Sequence, residues 1–274
     1  MIADILGIDC ATDPRRTGIA HAVAEVPDSG GAPAPRAPVV DCLTTGSETR
    51  RPAGMCAELL EPGRPAVVGL DAPLGWPREL GRLLENHRAG DAVGIDGDRL
   101  FRRRTDEVVR EYLGKQPLEV GADRIARTAV VALDLLGELR QLTGRDFPVA
   151  VRHRPELCSG RSAALEVYPA GLLIAWGGSA YARGYRGTDP TSRTRRAELL
   201  ADLAHRVSLT TDPSIAVEKV DVLDALLCAV AVDEVLSGHA TAPNEVGADN
   251  ADLEREGWMW LPLTGAGSVE GGRS

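Results

Sequence analysis

Four apolar runs open the chain. "DILGIDCA" (4–11) suits a buried strand, "TGIAHAVAEV" (17–26) a second and "VVDCLTTG" (39–46) a third. Between the last two lies "PDSGGAPAPRAP" (27–38), a Pro/Gly/Ala turn region expected to be mobile. Three strands in succession, joined by short or loose turns, predict an antiparallel meander. In "SETRRPAGMCAELLEPG" (47–63), Ser47 is placed to cap a helix, although Pro52 disturbs its first turns. "RPAVVGLDAP" (64–73) is then a fully apolar strand that ends in Asp71 and is stopped by Pro73. Strand, helix, strand implies a parallel neighbour reached by a right-handed crossover.

From about residue 74 to 163 the pattern becomes helical. "WPRELGRLLENHRAG" (76–90), "RLFRRRTDEVVREYLG" (99–114) and "DRIARTAVVALDLLGELRQLTG" (123–144) carry it. This stretch reads as a helical insertion in one domain. "AALEVYPAGLL" (163–173) returns to strand and then helix, and "GGSAYARGYRGTDPTSRT" (177–194) is a Gly- and Arg-rich loop. Two further helices follow, "RTRRAELLADLAHRV" (193–207) and "KVDVLDALLCAVAVDEVL" (219–236). "EREGWMWLPL" (254–263) reads as a late strand, and 264–274 as a disordered tail. The order βββ-α-β-(helical insert)-β-α-α-β predicts an α/β fold with a mixed sheet, in a single domain over 1–263. It is not a simple alternating βαβ series.

Composition changes this picture little. A chain of 274 residues, 43% hydrophobic and 26% charged, can build a substantial core. A net charge of −9 argues against a protein that coats nucleic acid non-specifically, but leaves room for a local basic lip around an acidic centre. Five scattered cysteines without a CxxC pair support neither a disulfide framework nor a zinc ribbon. The first residues lack the basic and apolar regions of a signal peptide. No apolar run approaches the roughly 20 residues that span a bilayer, so no membrane partner and a cytoplasmic location are expected. Oligomeric state, homodimer included, is left open.

The chemistry concentrates in acids on apolar elements: Asp9, Asp71, Glu166, Asp221 and Asp224. Each borders hydrophobic neighbours, in "LGIDCA", "VVGLDAP", "ALEVYP" and "VDVLDALL". An ionised carboxylate buried without a partner is costly. Asp9 and Asp71 fall at the C-terminal ends of strands that should run parallel. Neighbouring strands lie about 5 Å apart, which would place both side chains in one crevice at the carboxyl edge of the sheet. Asp221 and Asp224 share one helix face with Ala225, Cys228 and Val232. Like charges there repel, and a divalent cation would relieve them. Each acid also has an ordinary alternative. Asp221 can be a helix N-cap with Asp224 in a capping box, and Asp9 and Asp71 can be turn residues. Four or five such acids together are harder to explain as independent caps.

"GIDCA" on the first strand, "LDAP" ending the fourth and "DVLDALLCA" on the late helix resemble the ribonuclease-H-like superfamily. The D-x-x-D-A-L-x-x-A pattern is most similar to RuvC-type Holliday-junction resolvases. With "RRRTD" (102–106) and "LEVYPA" (165–170), the chain over 1–263 resembles the predicted nucleases of domain of unknown function family 429. The resemblance implies a five-stranded mixed sheet, first three strands antiparallel, flanked by helices. It implies a metal-dependent nuclease that hydrolyses phosphodiesters with two Mg²⁺ or Mn²⁺ ions. Asp9 would bridge the ions, Asp71 would bind one, and Asp221 and Asp224 would complete the cage. Glu166 would join the catalytic set by binding metal or by orienting Arg103 or Arg104.

Two arginine-rich stretches, 99–110 and 182–196, are candidates to bind substrate phosphates, with nucleic acid the expected partner. Arg103, Arg104, Arg183 and Arg186 stand in them, beside Thr105 and Asp106, while Tyr181 and Tyr185 could stack on bases. Solvated faces and a helix cap at Thr105–Asp106 are the ordinary alternatives. Two other functions compete. An ATP-using kinase or ATPase of the actin and sugar-kinase type also opens on an Asp at the end of strand one. Here the tight glycine after Asp9 is missing, and that chemistry does not require the Asp221/Asp224 pair. A non-catalytic binding protein that keeps the fold is the other. Cys10 packs in the first strand beside Asp9 and has no obvious base to activate it.

Overall fold

The computed structural model describes residues 1–26, 37–155, 157 and 161–263. The expected mobile turn at 27–38 lies mostly outside the described residues, as do Cys158 and the expected tail 264–274. Among the described residues six strands form one mixed sheet: β1 (Ile2–Asp9), β2 (Gly18–Glu25), β3 (Val39–Thr45), β4 (Ala66–Asp71), β5 (Ala163–Glu166) and β6 (Ser208–Leu209). Their order is β5-β4-β1-β2-β3-β6. β1, β2 and β3 are the expected antiparallel meander. β4 lies parallel to β1, β5 parallel to β4, and β6 parallel to β3.

The strand set differs from the sequence expectation at both edges. β6 is only two residues long, too short to leave an alternating pattern, so the sheet has six strands where five were expected. The late strand at 254–263 does not form. Leu253–Glu256 is a short helix, α10, and the chain after it makes a single bridge from Met259 to Glu166. The outer edge of β5 is divided, because Val149 bridges Ala164 on the same edge. Four residues of β5 thus serve two passing segments, and neither pairs far enough to become a strand. Trp258 and Trp260 hold the segment instead: both are buried, and their indole N–H groups donate to Thr241 O and Ala150 O at 3.1 and 2.8 Å.

The helices are α1 (Pro52–Leu59), α2 (Arg78–Asn86), α3 (Gly97–Phe101), α4 (Arg104–Leu113), α5 (Ile125–Thr143), α6 (Pro169–Tyr181), α7 (Pro190–Leu203), α8 (Ser214–Glu218), α9 (Val220–Leu236) and α10. Pro52 begins α1 at a position that tolerates proline, and Arg51 rather than Ser47 precedes it. α6 runs on into the segment read as loop, with a break at Gly178 (φ 74°).

Strand alternation divides the core into two layers. Ala3, Ile5, Val67 and Leu165 face α9, whose residues from Val222 to Val232 are all buried. Leu6, Ile8, Val68 and Leu70 face the other way, onto α1 and α5. The helical stretch after β4 therefore includes a core layer: Ala132, Leu135, Leu136 and Leu139 of α5 pack with Ala53 and Cys56 of α1 in the cluster on that side of the sheet. α9 lies unusually close to its side. A Cβ on Gly7 would sit 2.1 Å from Ala225 O, and one on Gly18 would sit 1.8 Å from Asp221 O. Glycine at these two places lets the first turns of α9 press onto the ends of β1 and β2.

Candidate functional site

The close approach of α9 builds an acidic pocket. Asp9 and Asp71 close β1 and β4 and are direct partners in the parallel register. Both share the strand parity of Gly7 and Gly69, whose missing Cβ atoms would meet α9, so both carboxylates lie on the α9 side. Asp221 and Asp224 come from the first and second turns of α9. Lys219, not Asp221, is the N-cap residue, and no side chain caps the helix. The capping alternative for this pair is thereby excluded.

Their electrostatics follow from burial. Desolvation pushes the Asp9 carboxyl well above its ordinary value, and Asp224, Asp71 and Asp221 add repulsion. Desolvation also raises Asp71, to about 7, with Arg186 pulling down and Asp224 and Glu166 pushing up. Asp224 is raised by burial against the opposing pull of Arg186 and of a Tyr185 hydrogen bond. The four acids divide into two kinds. Asp224 accepts from Tyr185 Oη at 2.9 Å and pairs with Arg186 at 3.1 Å. Asp221 pairs with Arg16 at 3.1 Å. Asp9 and Asp71 receive no hydrogen bond from a described residue.

This donor set is all carboxylate oxygen, which suits a hard divalent cation such as Mg²⁺ or Mn²⁺. Asp9 and Asp71, adjacent, desolvated and without donors among the described residues, fit such an ion best. Among the described residues, no three His, Cys, Asp or Glu side chains already converge on one point as a finished cage. Arginine occupies the two α9 carboxylates instead.

Of the two roles expected of Glu166, it holds Arg103 and stands apart from the other acids. It pairs in register with Leu70, so it points to the sheet face opposite Asp9 and Asp71. Arg103 donates to its two oxygens at 2.8 and 2.7 Å, and Leu74 N donates at 2.9 Å. Arg103 is fully buried and also pairs with Asp106 at 2.8 Å. Thr105 and Asp106 are buried with it, and the Thr105 hydroxyl accepts from Met259 N. Asp106 also accepts from Arg103 N at 3.0 Å, which is the helix-cap alternative for Thr105–Asp106, and the three residues bind α4 to β5 and to the chain after α10. Arg104 is half-buried, its side chain paired with Glu107 at 3.0 Å and its N–H donating to Glu256 at 2.8 Å. Arg183 is exposed, and Arg186 reaches the acids. Tyr181 pairs with Asp202 at the surface.

Sequence reasoning missed Arg16 and the role of Arg196. Arg16 sits in "DPRRTG" with nothing local to mark it. Arg196, counted among the phosphate-binding arginines, is buried, and its guanidinium donates to Val217 O at 2.6 Å, Gly187 O at 2.9 Å and Tyr185 O. Cys10 and Cys228 are buried beside the pocket, and burial pushes both thiols well up, which makes them poor nucleophiles. Among the described residues, no helix is long and apolar enough to cross a membrane.

A family model described as "Protein of unknown function (DUF429)" matches residues 7–248. No curated protein and no solved structure matches the chain.

Proposed function

The chain belongs to the DUF429 family, whose model spans all four aspartates of the pocket, and on that premise we propose a divalent-cation-dependent nuclease of the ribonuclease-H-like type. The reading is carried by one observation: Asp9 and Asp71, register partners on adjacent strands, are desolvated beside two further acids and receive no hydrogen bond from a described residue. The antiparallel β1–β2–β3 meander with β4 and β5 parallel to β1 supports the fold assignment, as does an acidic helix start over the end of β1. Asp9 and Asp71 would hold the cation, with Asp221 and Asp224 as the further ligands. When bound, Mg²⁺ or Mn²⁺ would activate an attacking water and stabilise the leaving oxygen of a phosphodiester. Arg186 and Arg16, at the exposed rim, would meet phosphate oxygens and draw an anionic substrate over the acids. The low exposure of Asp224 keeps its carboxylate away from bulk water, which strengthens its pull on a cation.

The test is a panel of single-stranded DNA, duplex DNA, RNA–DNA hybrid and branched DNA with Mg²⁺ or Mn²⁺, run beside Asp71→Asn. Cleavage by the wild type that disappears in the variant and in EDTA is expected. Equal activity in the two proteins, or none on any substrate with either metal, removes the proposal.

A further inference from the structure

The charge balance of the pocket is incomplete in a specific way. Among the described residues, four carboxylates meet two guanidinium groups, and each guanidinium holds one α9 acid: Arg16 on Asp221 and Arg186 on Asp224. The two arginines differ in how they are mounted. Arg16 is a largely exposed side chain on the turn after β1. Arg186 sits on the loop between α6 and α7, and that loop is clamped. Arg196 donates to the carbonyls of Tyr185 and Gly187, the residues on either side of Arg186, and to Val217 just before α9. The backbone under Arg186 is thus tied to the helix that carries Asp224. Its side chain remains 54% exposed and is held near its tip by Asp224 Oδ2 at 3.1 Å and Tyr185 Oη at 3.0 Å. A fixed base with a free arm lets the guanidinium leave the carboxylate without unfolding anything.

Resting on the metal-centre reading above, we propose that Arg186 is the resident counter-ion of the pocket: it neutralises Asp224 in the metal-free protein, competes with a divalent cation for the cluster and so sets the affinity of the site. Its reach extends past Asp224, because its positive charge also opposes the upward shifts of Asp9 and Asp71. A cation entering between those two acids meets the repulsion of that guanidinium until the arm swings out. The freed guanidinium then stands at the rim, where an anionic ligand can take it. An arginine that only supports the fold would lower stability and metal binding together when removed. A competitor moves them in opposite directions.

The experiment titrates Mn²⁺ alone, by calorimetry at neutral pH, into the full chain as wild type, Arg186→Gln, Arg186→Lys and Tyr185→Phe. Melting curves in EDTA accompany each. Arg186→Gln should bind Mn²⁺ about tenfold more tightly, the order expected when one positive charge is removed near a dication across a partly solvated gap. The same variant should melt lower than wild type in EDTA. Arg186→Lys should stay near wild type in both measurements. Tyr185→Phe frees one anchor of the arm and should shift affinity the same way by a smaller factor, a second readout should Arg186→Gln fold poorly. Mn²⁺ binding that is equal or weaker in Arg186→Gln and Tyr185→Phe overturns the counter-ion role while leaving the metal centre standing. No binding by any of the four proteins removes the metal centre and this proposal with it.

Discussion

Gly7 on β1 and Ala225 on α9 stand so close that a Cβ added to the glycine would fall 2.1 Å from the alanine carbonyl oxygen. The same added atom would lie 2.4 Å from Ala229 N. Both are backbone atoms of one helix and cannot rotate aside. This contact seats α9 at the depth where Asp221 and Asp224 join Asp9.

Gly7→Ala should therefore lift α9 off the sheet and cost about 3 kcal/mol of stability, the upper part of the usual range for overpacking. Gly137→Ala is the matched control. It lies within α5 with open space around its Cβ position, and should be neutral or stabilise by up to about 1 kcal/mol through helix propensity. Urea unfolding of the two variants checks the contrast. Similar midpoints would show that the α9 seat is softer than its geometry.

Arg103, Glu166 and Asp106 form a buried ion network, with 1% or less of each side chain exposed. Arg103→Ala leaves two buried carboxylates unpaired and should cost about 3–5 kcal/mol. Arg103→Lys cannot reproduce the paired contacts to both acids and should recover only part of that. A phosphate-binding arginine would instead tolerate both changes in stability, and equilibrium unfolding separates the two outcomes.

Asp71 gives the metal-free protein a defined pH dependence. Its carboxyl is pushed up to about 7 by burial, with Arg186 opposing and Asp224 and Glu166 reinforcing, against an ordinary value of about 3.9 in the unfolded chain. The folded state then holds the proton more tightly. That contribution to stability is present in full below the unfolded value and is lost as pH rises through about 7. In EDTA, wild type should lose melting temperature from about pH 4 to neutrality, and Asp71→Asn should flatten that decline. Superimposable profiles would show that Asp71 titrates normally.

Arg196 is the clamp under the loop that carries Arg186. Arg196→Ala removes the donor for at least three backbone carbonyls and should destabilise by about 2–3 kcal/mol. It should also open the loop to trypsin at Arg183 and Arg186 faster than it opens the rest of the chain. Uniform acceleration at all sites would mean global destabilisation alone.

The apolar runs determine much of the architecture. β1 to β5, α9 and the antiparallel opening were readable because alternation and strand-ending Asp and Pro residues are local signals. The expected late strand does not form because "WMWLPL" is apolar for a different reason: its tryptophans are buried core, and the edge of β5 is already divided. β6, at two residues, left no signal to read.

The candidate site divides along the same line. That Asp9, Asp71, Asp221 and Asp224 come near one another was legible in the sequence, because a carboxylate at the end of an apolar element needs a partner wherever the chain goes. Only the tertiary structure decided that Glu166 faces the other way. Facing depends on strand register, and one step along β5 exchanges the two sides of the sheet. Only the tertiary structure assigned the arginines too, sending Arg103 into the core, Arg196 onto backbone carbonyls, and Arg16 and Arg186 to the acids. A guanidinium has many possible partners, and the one it meets is chosen by contacts up to 205 residues apart in the chain. Composition and spacing carry no record of such pairings.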